Sequence, residues 1–192
     1  MLTPLFRYAA LAAFSLALAL PAAAQERAND EPRPSPNATV GQTVGTTVLH
    51  VDYGRPSARD REIFGDEDAL VPNGVVWRTG ANEATAITLS SDVLVEGDTL
   101  RAGTYSLFTL PTDGDWTIIF NRVAEQWGAF RYDADEDVLR VTVTPDRDAP
   151  MQEQFEIRFE DVTATSATMS LLWDETSVPI RFQMLETSPS GG

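Results

Sequence analysis

Apolar and polar side chains alternate along the stretch FEIRFE at Phe155–Glu160, so that its three apolar side chains share one face. A period of two is the signature of a β-strand that buries one face and exposes the other. The stretches LRVTV at Leu139–Val143 and VPIRFQM at Val178–Met184 repeat the pattern. These stretches predict a protein built from half-buried strands.

Further β-prone runs occupy the first half of the chain. They include Thr46–Tyr53, expected as the opening strand, and Thr85–Leu89, Gly103–Leu110 and Trp116–Asn121. Turn residues such as Gly and Asp separate them, and no segment has apolar residues at helical spacing. Short strands joined by turns predict an all-β fold, an antiparallel β-sandwich with jelly-roll-like character, in a single domain.

The first 24 residues read as a secretory signal peptide. Arg7 precedes the apolar run Ala9–Leu20, and the small residues at 22–24 supply a cleavage site after Ala24. The apolar run is shorter than the ~20 residues that span a bilayer. We therefore expect a periplasmic or secreted protein that has no membrane insertion after signal cleavage.

The remaining chain divides into three predicted parts. Residues 25–43 are rich in proline and charge, which is typical of a flexible spacer. Residues 44–185 carry the strand pattern and form the predicted sandwich domain, and residues 186–192 read as a polar tail.

Composition excludes several kinds of chemistry. The chain has no cysteine, all 14 of its cationic residues are arginine, and its net charge is −15. Thiol nucleophiles and lysine Schiff bases are therefore excluded, and the acidity argues against nucleic acid as a partner. His50 is the only histidine, so one chain cannot form a histidine metal cluster. We expect no metal site and no cofactor.

The stretch VVWRTGANEAT at Val75–Thr85 gathers an indole, a guanidinium, an amide and a carboxylate within seven residues. One interpretation is a ligand pocket rimmed by Trp77, Arg78, Asn82 and Glu83. The other is a buried Arg78–Glu83 ion pair that braces the loop, with Trp77 as a core residue. The sequence leaves both interpretations open.

A second cationic stretch lies upstream, where Tyr53–Arg61 holds three arginines in a chain that is otherwise acidic. Arginine forks bind carboxylates and phosphates through two hydrogen bonds, although pairing with neighbouring acids is the structural alternative. We therefore add Arg55 and Arg59 to the predicted site. The complete predicted ligand-binding set is Arg55, Arg59, Trp77, Arg78, Asn82 and Glu83.

Several strings of the sequence occur together in the order typical of one bacterial family. They are YGRPS at Tyr53–Ser57, WRTGANEAT at Trp77–Thr85, LRAGTYSLF at Leu100–Phe108, WTIIFN at Trp116–Asn121 and WGAF at Trp127–Phe130. In these strings the chain resembles the domain of unknown function 2911 family, over about Val44–Met184. The resemblance implies an exported β-rich domain and brings no activity or catalytic residue with it.

No complete catalytic signature occurs in the sequence, so we predict no catalytic residue. The leading hypothesis is a non-catalytic module that binds a small polar or anionic ligand, with a carbohydrate among the candidates. A metal-independent hydrolase that uses Glu83 as acid or base is one alternative, and a structural envelope protein is another.

Overall fold

The computed structural model describes residues 32–185 of the chain. This part contains thirteen strands and one short 3₁₀ helix, joined by turns and loops. No α-helix occurs within these residues, and accordingly none that is long and apolar enough to cross a membrane. The predicted signal peptide, the start of the predicted spacer and the predicted tail at 186–192 lie outside the described residues.

The strands are numbered in chain order, and the 3₁₀ helix lies between β9 and β10. Their bounds are β1 Asn37–Val44, β2 Thr47–Gly54, β3 Phe64–Gly65, β4 Val71–Pro72, β5 Thr85–Leu89, β6 Val93–Val95, β7 Asp98–Leu100, β8 Gly103–Leu110, β9 Trp116–Asn121, the 3₁₀ helix Ala134–Glu136, β10 Asp137–Val143, β11 Gln152–Glu160, β12 Ser166–Asp174 and β13 Thr176–Met184.

Two antiparallel sheets form the sandwich. The first has the order β1-β2-β5-β8-β9-β10 and the second has the order β11-β12-β13-β6-β7. A third, two-stranded sheet pairs β3 with β4 in parallel. The predicted antiparallel β-sandwich in a single domain is therefore confirmed.

The core lies between the two sheets, where the alternating patterns bury their apolar faces. On β11, Phe155 and Ile157 are buried as the period of two predicts, and Leu49 and Val51 of β2 belong to the same core from the first sheet. Aromatic rings fill the end of the core near β3, where Phe64 contacts Trp116 edge to face at 4.8 Å between ring centroids. This aromatic end of the core lies beside the stretch Val75–Thr85, in which the sequence predicted part of the site.

The sandwich begins earlier than the sequence predicted. Strand β1 covers Asn37–Val44, so most of it lies in the stretch assigned to the spacer, and the predicted opening strand is the second one. Its sequence, NATVGQTV, has little apolar content, and its backbone pairs with β2 along its whole length, from Asn37 opposite Gly54 to Val44 opposite Thr47. Backbone pairing at the sheet edge holds this strand together with its few apolar residues, Ala38, Val40 and Val44, which pack in or against the core. These residues follow a proline-rich stretch, which is why composition did not reveal the strand.

Candidate functional site

The loop between β4 and β5 is fixed by hydrogen bonds to strand β8 and by others that form locally. Trp77 exchanges two backbone hydrogen bonds with Thr109 of β8, at 2.8 and 2.9 Å. Its indole Nε1 donates to the carbonyl of Gly80 at 3.1 Å, and Thr85 Oγ1 donates to the carbonyl of Thr79 at 2.6 Å. The loop is thereby closed on itself.

The same loop carries backbone strain. Thr79 is buried and has a φ of +52°, a left-handed conformation that β-branched residues rarely adopt. Gly80 has a φ of +151°, and a Cβ at this position would lie 2.8 Å from the carbonyl oxygen of Gly54. A Cβ on Gly54 would in turn clash with the carbonyl of Ala81. Strain of this kind persists only where surrounding contacts enforce it, and it is common at binding sites.

Trp77 is mainly a core residue. Its side chain stacks on Trp173 of β12, with 5.7 Å between ring centroids and 19° between planes, and meets Phe155 at 5.3 Å. The residue is only 7 % exposed. The interpretation of Trp77 as a core residue therefore describes its packing, although its surface also forms part of a cleft described below.

Arg78 is a charged residue of this loop, and it has no acidic partner in the described part of the chain. Its Nε is buried and has no hydrogen-bond partner among residues 32–185. Burial lowers the pKa of Arg78, and no carboxylate among residues 32–185 opposes that effect. Because a guanidinium stays protonated in proteins, this is a half-buried positive charge without its own counterion in the described part of the chain.

Glu83 pairs with a different arginine from the one that the sequence suggested. Arg33 Nη1 donates to both carboxylate oxygens, at 3.0 and 2.8 Å, so the alternative of an Arg78–Glu83 pair is wrong. The side chain of Asn82 donates to the carbonyl of Ser35 at 3.0 Å. These contacts bind residues 33–36, which we call the N-terminal strap, to the β4–β5 loop.

The other two predicted residues lie outside this loop. Arg55 Nε donates to the carbonyl of Phe155 at 2.9 Å, and its Nη2 lies 3.5 Å from Glu156 Oε2, so Arg55 joins the end of β2 to β11. Arg59 is exposed, and its backbone N–H donates to Glu153 Oε1 at 3.1 Å. The six predicted residues therefore do not converge on one cavity.

A cleft of about 200 Å³ opens beside Arg78. It is lined by Ser35, Pro56, Arg61, Leu70, Val71, Trp77, Arg78, Gly80, Ala81 and Trp173. Two of these residues are arginines and none is acidic, which is unusual in a chain with a net charge of −15. Of the predicted set, only Trp77 and Arg78 line this cleft.

Arg61 is the charged residue among those of the cleft that the predicted set omitted. Its Nε donates to the carbonyl of Ala58 at 2.9 Å and its Nη2 to the carbonyl of Ser57 at 2.6 Å. These two bonds fix the orientation of the guanidinium on the protein. The run of three arginines at 55–61 contained the signal for this residue, but sequence does not say which of the three faces the cleft.

Other polar clusters are structural in their contacts. His50 Nε2 lies 3.3 Å from Asp52 Oδ2 on the outer face of β2. Tyr132 donates to Asp137 at 2.6 Å, and burial together with this hydrogen bond raises the pKa of Tyr132 to about 12. In the described residues, no three histidine, aspartate or glutamate side chains gather in a way that would hold a metal ion.

Comparison with known proteins gives a family. No curated protein and no solved structure matches the chain. A family model described as a protein of unknown function (DUF2911) matches residues 35–182, from the N-terminal strap to β13. The match covers most of the chain and confirms the resemblance found in its sequence strings. The chain belongs to the DUF2911 family.

Proposed function

We propose that this domain is a non-catalytic binding module that takes a small anionic ligand into the cleft beside Arg78. The observation that carries the proposal is the buried Nε of Arg78, which has no hydrogen-bond partner among the described residues. A second guanidinium, Arg61, lines the same cleft, and no acidic side chain among residues 32–185 does. An anion in the cleft would supply the counter-charge that Arg78 lacks among the described residues.

An unpaired charge is costly to bury in a protein. A half-buried guanidinium loses part of its hydration, and that loss is compensated only by an acceptor close to it. The chain has 29 acidic residues, yet Arg78 is paired with none of them in residues 32–185. A cation kept unpaired inside an acidic protein fits a role in binding better than a role in folding stability.

The contacts of the neighbouring residues favour an anion over a neutral sugar and binding over hydrolysis. Sugar recognition by stacking needs an exposed aromatic face, whereas Trp77 is stacked against Trp173 in the core. Both oxygens of Glu83 are bound by Arg33, and the Glu83 side chain is only 6 % exposed. A general acid or base must reach the substrate, which Glu83 does not do in this arrangement.

The place of action that we propose is outside the cytoplasm. The support is the pattern of the first 24 residues, in which an apolar run follows Arg7 and ends at the small residues before Gln25. A binding module in the periplasm or outside the cell would meet small anions from the medium. Cleavage after Ala24 is checked by N-terminal sequencing of the mature protein.

The proposal is tested by measuring the unfolding temperature of the mature protein while different sodium salts are added at constant ionic strength. A ligand that binds only the folded state raises stability by about 2.7 kcal/mol at a hundred times its dissociation constant. We expect small organic anions to stabilise the wild type and to have no effect on Arg78→Gln. The control is Arg59→Gln, which removes the same charge nearby, outside the lining of the cleft. Equal responses of wild type and Arg78→Gln would overturn the proposal.

A further inference from the structure

We infer that the ligand is a carboxylic acid with a small apolar body, held by Arg78 and Arg61 through its carboxylate. This inference rests on the proposed function and names the ligand class of the same cleft. The shared chemistry could come from a free acid or from the C-terminal residue of a peptide.

The size of the cleft limits the part of the ligand that enters it. About 200 Å³ is the liquid volume of roughly six to seven water molecules. Sites for drug-sized ligands are larger, at about 300–1,000 Å³. The cleft therefore accepts a carboxylate with a few carbon atoms attached, or one terminal residue of a longer ligand.

The apolar residues of the lining indicate that the ligand has an apolar part. Besides the two arginines, the residues that line the cleft include the apolar Pro56, Leu70, Val71, Trp77 and Trp173. Leu70 is 42 % exposed although it is a large aliphatic residue. Apolar contact with Leu70 would remove this surface from water, which a bare inorganic anion cannot do.

The two guanidiniums of the cleft indicate that the ligand carries a carboxylate. Arg61 is oriented by the carbonyls of Ser57 and Ala58, so its position costs little further ordering when a ligand arrives. Arg78 lines the same cleft and has no carboxylate partner among the described residues. Carboxylates accept two parallel hydrogen bonds from one guanidinium fork, and a second arginine adds a charge-assisted bond.

A phosphate or sulfate fits these walls less well. Such an anion carries polar oxygens on every side, whereas the lining includes Leu70 and Val71 beside the polar residues. Oxygens that face an apolar wall lose their hydration without gaining a hydrogen bond. A carboxylate avoids this cost because its polar atoms lie at one end of the molecule.

The test is isothermal titration calorimetry of the full mature chain with four probes: isovalerate, the dipeptide N-acetyl-alanyl-leucine, inorganic phosphate and neutral isovaleramide. We expect isovalerate or the dipeptide to bind, and the amide and phosphate to bind at least about tenfold more weakly. Tighter binding of the dipeptide than of isovalerate would identify a peptide C-terminus as the source, and the reverse would identify a free acid. Both outcomes support the inference.

Variants distinguish the contribution of the ligand's carboxylate from that of its apolar part. Arg78→Gln and Arg61→Gln should each weaken isovalerate binding roughly tenfold to a hundredfold, and Arg59→Gln should leave it unchanged. Leu70→Ser, at an exposed position, should weaken isovalerate binding but not acetate binding. Arg61 is also exposed, so Arg61→Gln and Leu70→Ser remain informative if Arg78→Gln fails to fold.

The outcomes distinguish this inference from the proposed function. If phosphate binds through Arg78 and isovalerate does not, the carboxylate assignment is wrong and the anion-binding function stands. If isovaleramide binds as tightly as isovalerate, or if none of the four probes binds, both the assignment and the anion-binding function fail.

Discussion

Arg33 binds both carboxylate oxygens of Glu83 through one nitrogen, Nη1, at 3.0 and 2.8 Å, and thereby joins the N-terminal strap to the β4–β5 loop. The side chains of Arg33 and Glu83 are 18 % and 6 % exposed, so the pair is largely shielded from water. Ser35, two residues farther along the strap, lines the cleft. The strap is therefore part of the wall of the proposed site.

Loss of this ion pair should destabilise the domain. Glu83→Gln keeps the shape of the side chain but removes a charge-assisted pair that is mostly buried, so we expect a loss of roughly 2–3 kcal/mol in the free energy of unfolding. Urea unfolding followed by circular dichroism measures it. The control is Glu136→Gln, which breaks the exposed pair with Arg122 and should cost less than about 1 kcal/mol. Equal losses in the two variants would contradict a structural role for the strap.

The stacked indoles should carry much of the stability at this end of the core. Trp77→Ala removes a ring that contacts both Trp173 and Phe155, so we expect a loss of roughly 3–5 kcal/mol in unfolding free energy. The matched control is Trp127→Ala, the same chemical change at a residue that is 42 % exposed, with an expected loss of about 1 kcal/mol. A smaller loss for Trp77→Ala than for Trp127→Ala would mean that Trp77 is not a core residue.

Gly54 permits the close approach of the β4–β5 loop. In Gly54→Ala the new methyl group clashes with the backbone carbonyl of Ala81, which cannot rotate away as a side chain would. We expect a loss of roughly 1–3 kcal/mol in unfolding free energy, measured by urea unfolding. Gly114→Ala is the control, because its nearest neighbour is Thr112 Oγ1 at 3.9 Å. A neutral Gly54→Ala variant would show that the loop is free to move.

Tyr132 should make the stability depend on alkaline pH. Its pKa is raised to about 12 in the folded state, against about 10 in an unfolded chain. Between these values the unfolded state has released the proton and the folded state still holds it. The stabilisation is therefore complete below about pH 10 and is lost as the pH rises toward 12.

The variant Tyr132→Phe tests this dependence. A phenylalanine side chain has no phenolic proton to lose, so the unfolding free energy of the variant should fall less steeply between about pH 10 and 12 than that of the wild type. Tyr53 and Tyr105 also have raised pKa values, so some decline should remain in the variant. Identical slopes in the two proteins would show that Tyr132 ionises as it does in water.

The sequence predicted the sandwich because burial on one face imposes a period of two, as along β11 and β13. It did not predict β1, because its few apolar residues follow a proline-rich stretch whose composition is typical of a spacer. Arg33 was absent from the predicted site for a different reason, since its contact with Glu83 spans 50 residues of sequence.

The sequence predicted only two of the residues that line the cleft. Trp77 and Arg78 were singled out because an indole and a guanidinium adjoin in a short loop, and both line the cleft. Arg55, Arg59 and Arg61 look alike in sequence, yet only Arg61 lines the cleft. The difference arises because the chain after β2 crosses to β11 at Ser57, a long-range pairing that no local pattern reveals.

The central claim is that the charge of Arg78 has no counter-charge until an anion binds in the cleft. Its most direct test is urea unfolding of wild type and Arg78→Met, each with and without isovalerate. Met fills similar space without the charge, so we predict that Arg78→Met is about 1 kcal/mol more stable than the wild type without the acid. Added isovalerate should then stabilise only the wild type. If Arg78→Met is instead the less stable protein, and isovalerate affects the two equally, Arg78 is a structural residue and the cleft is not its binding site.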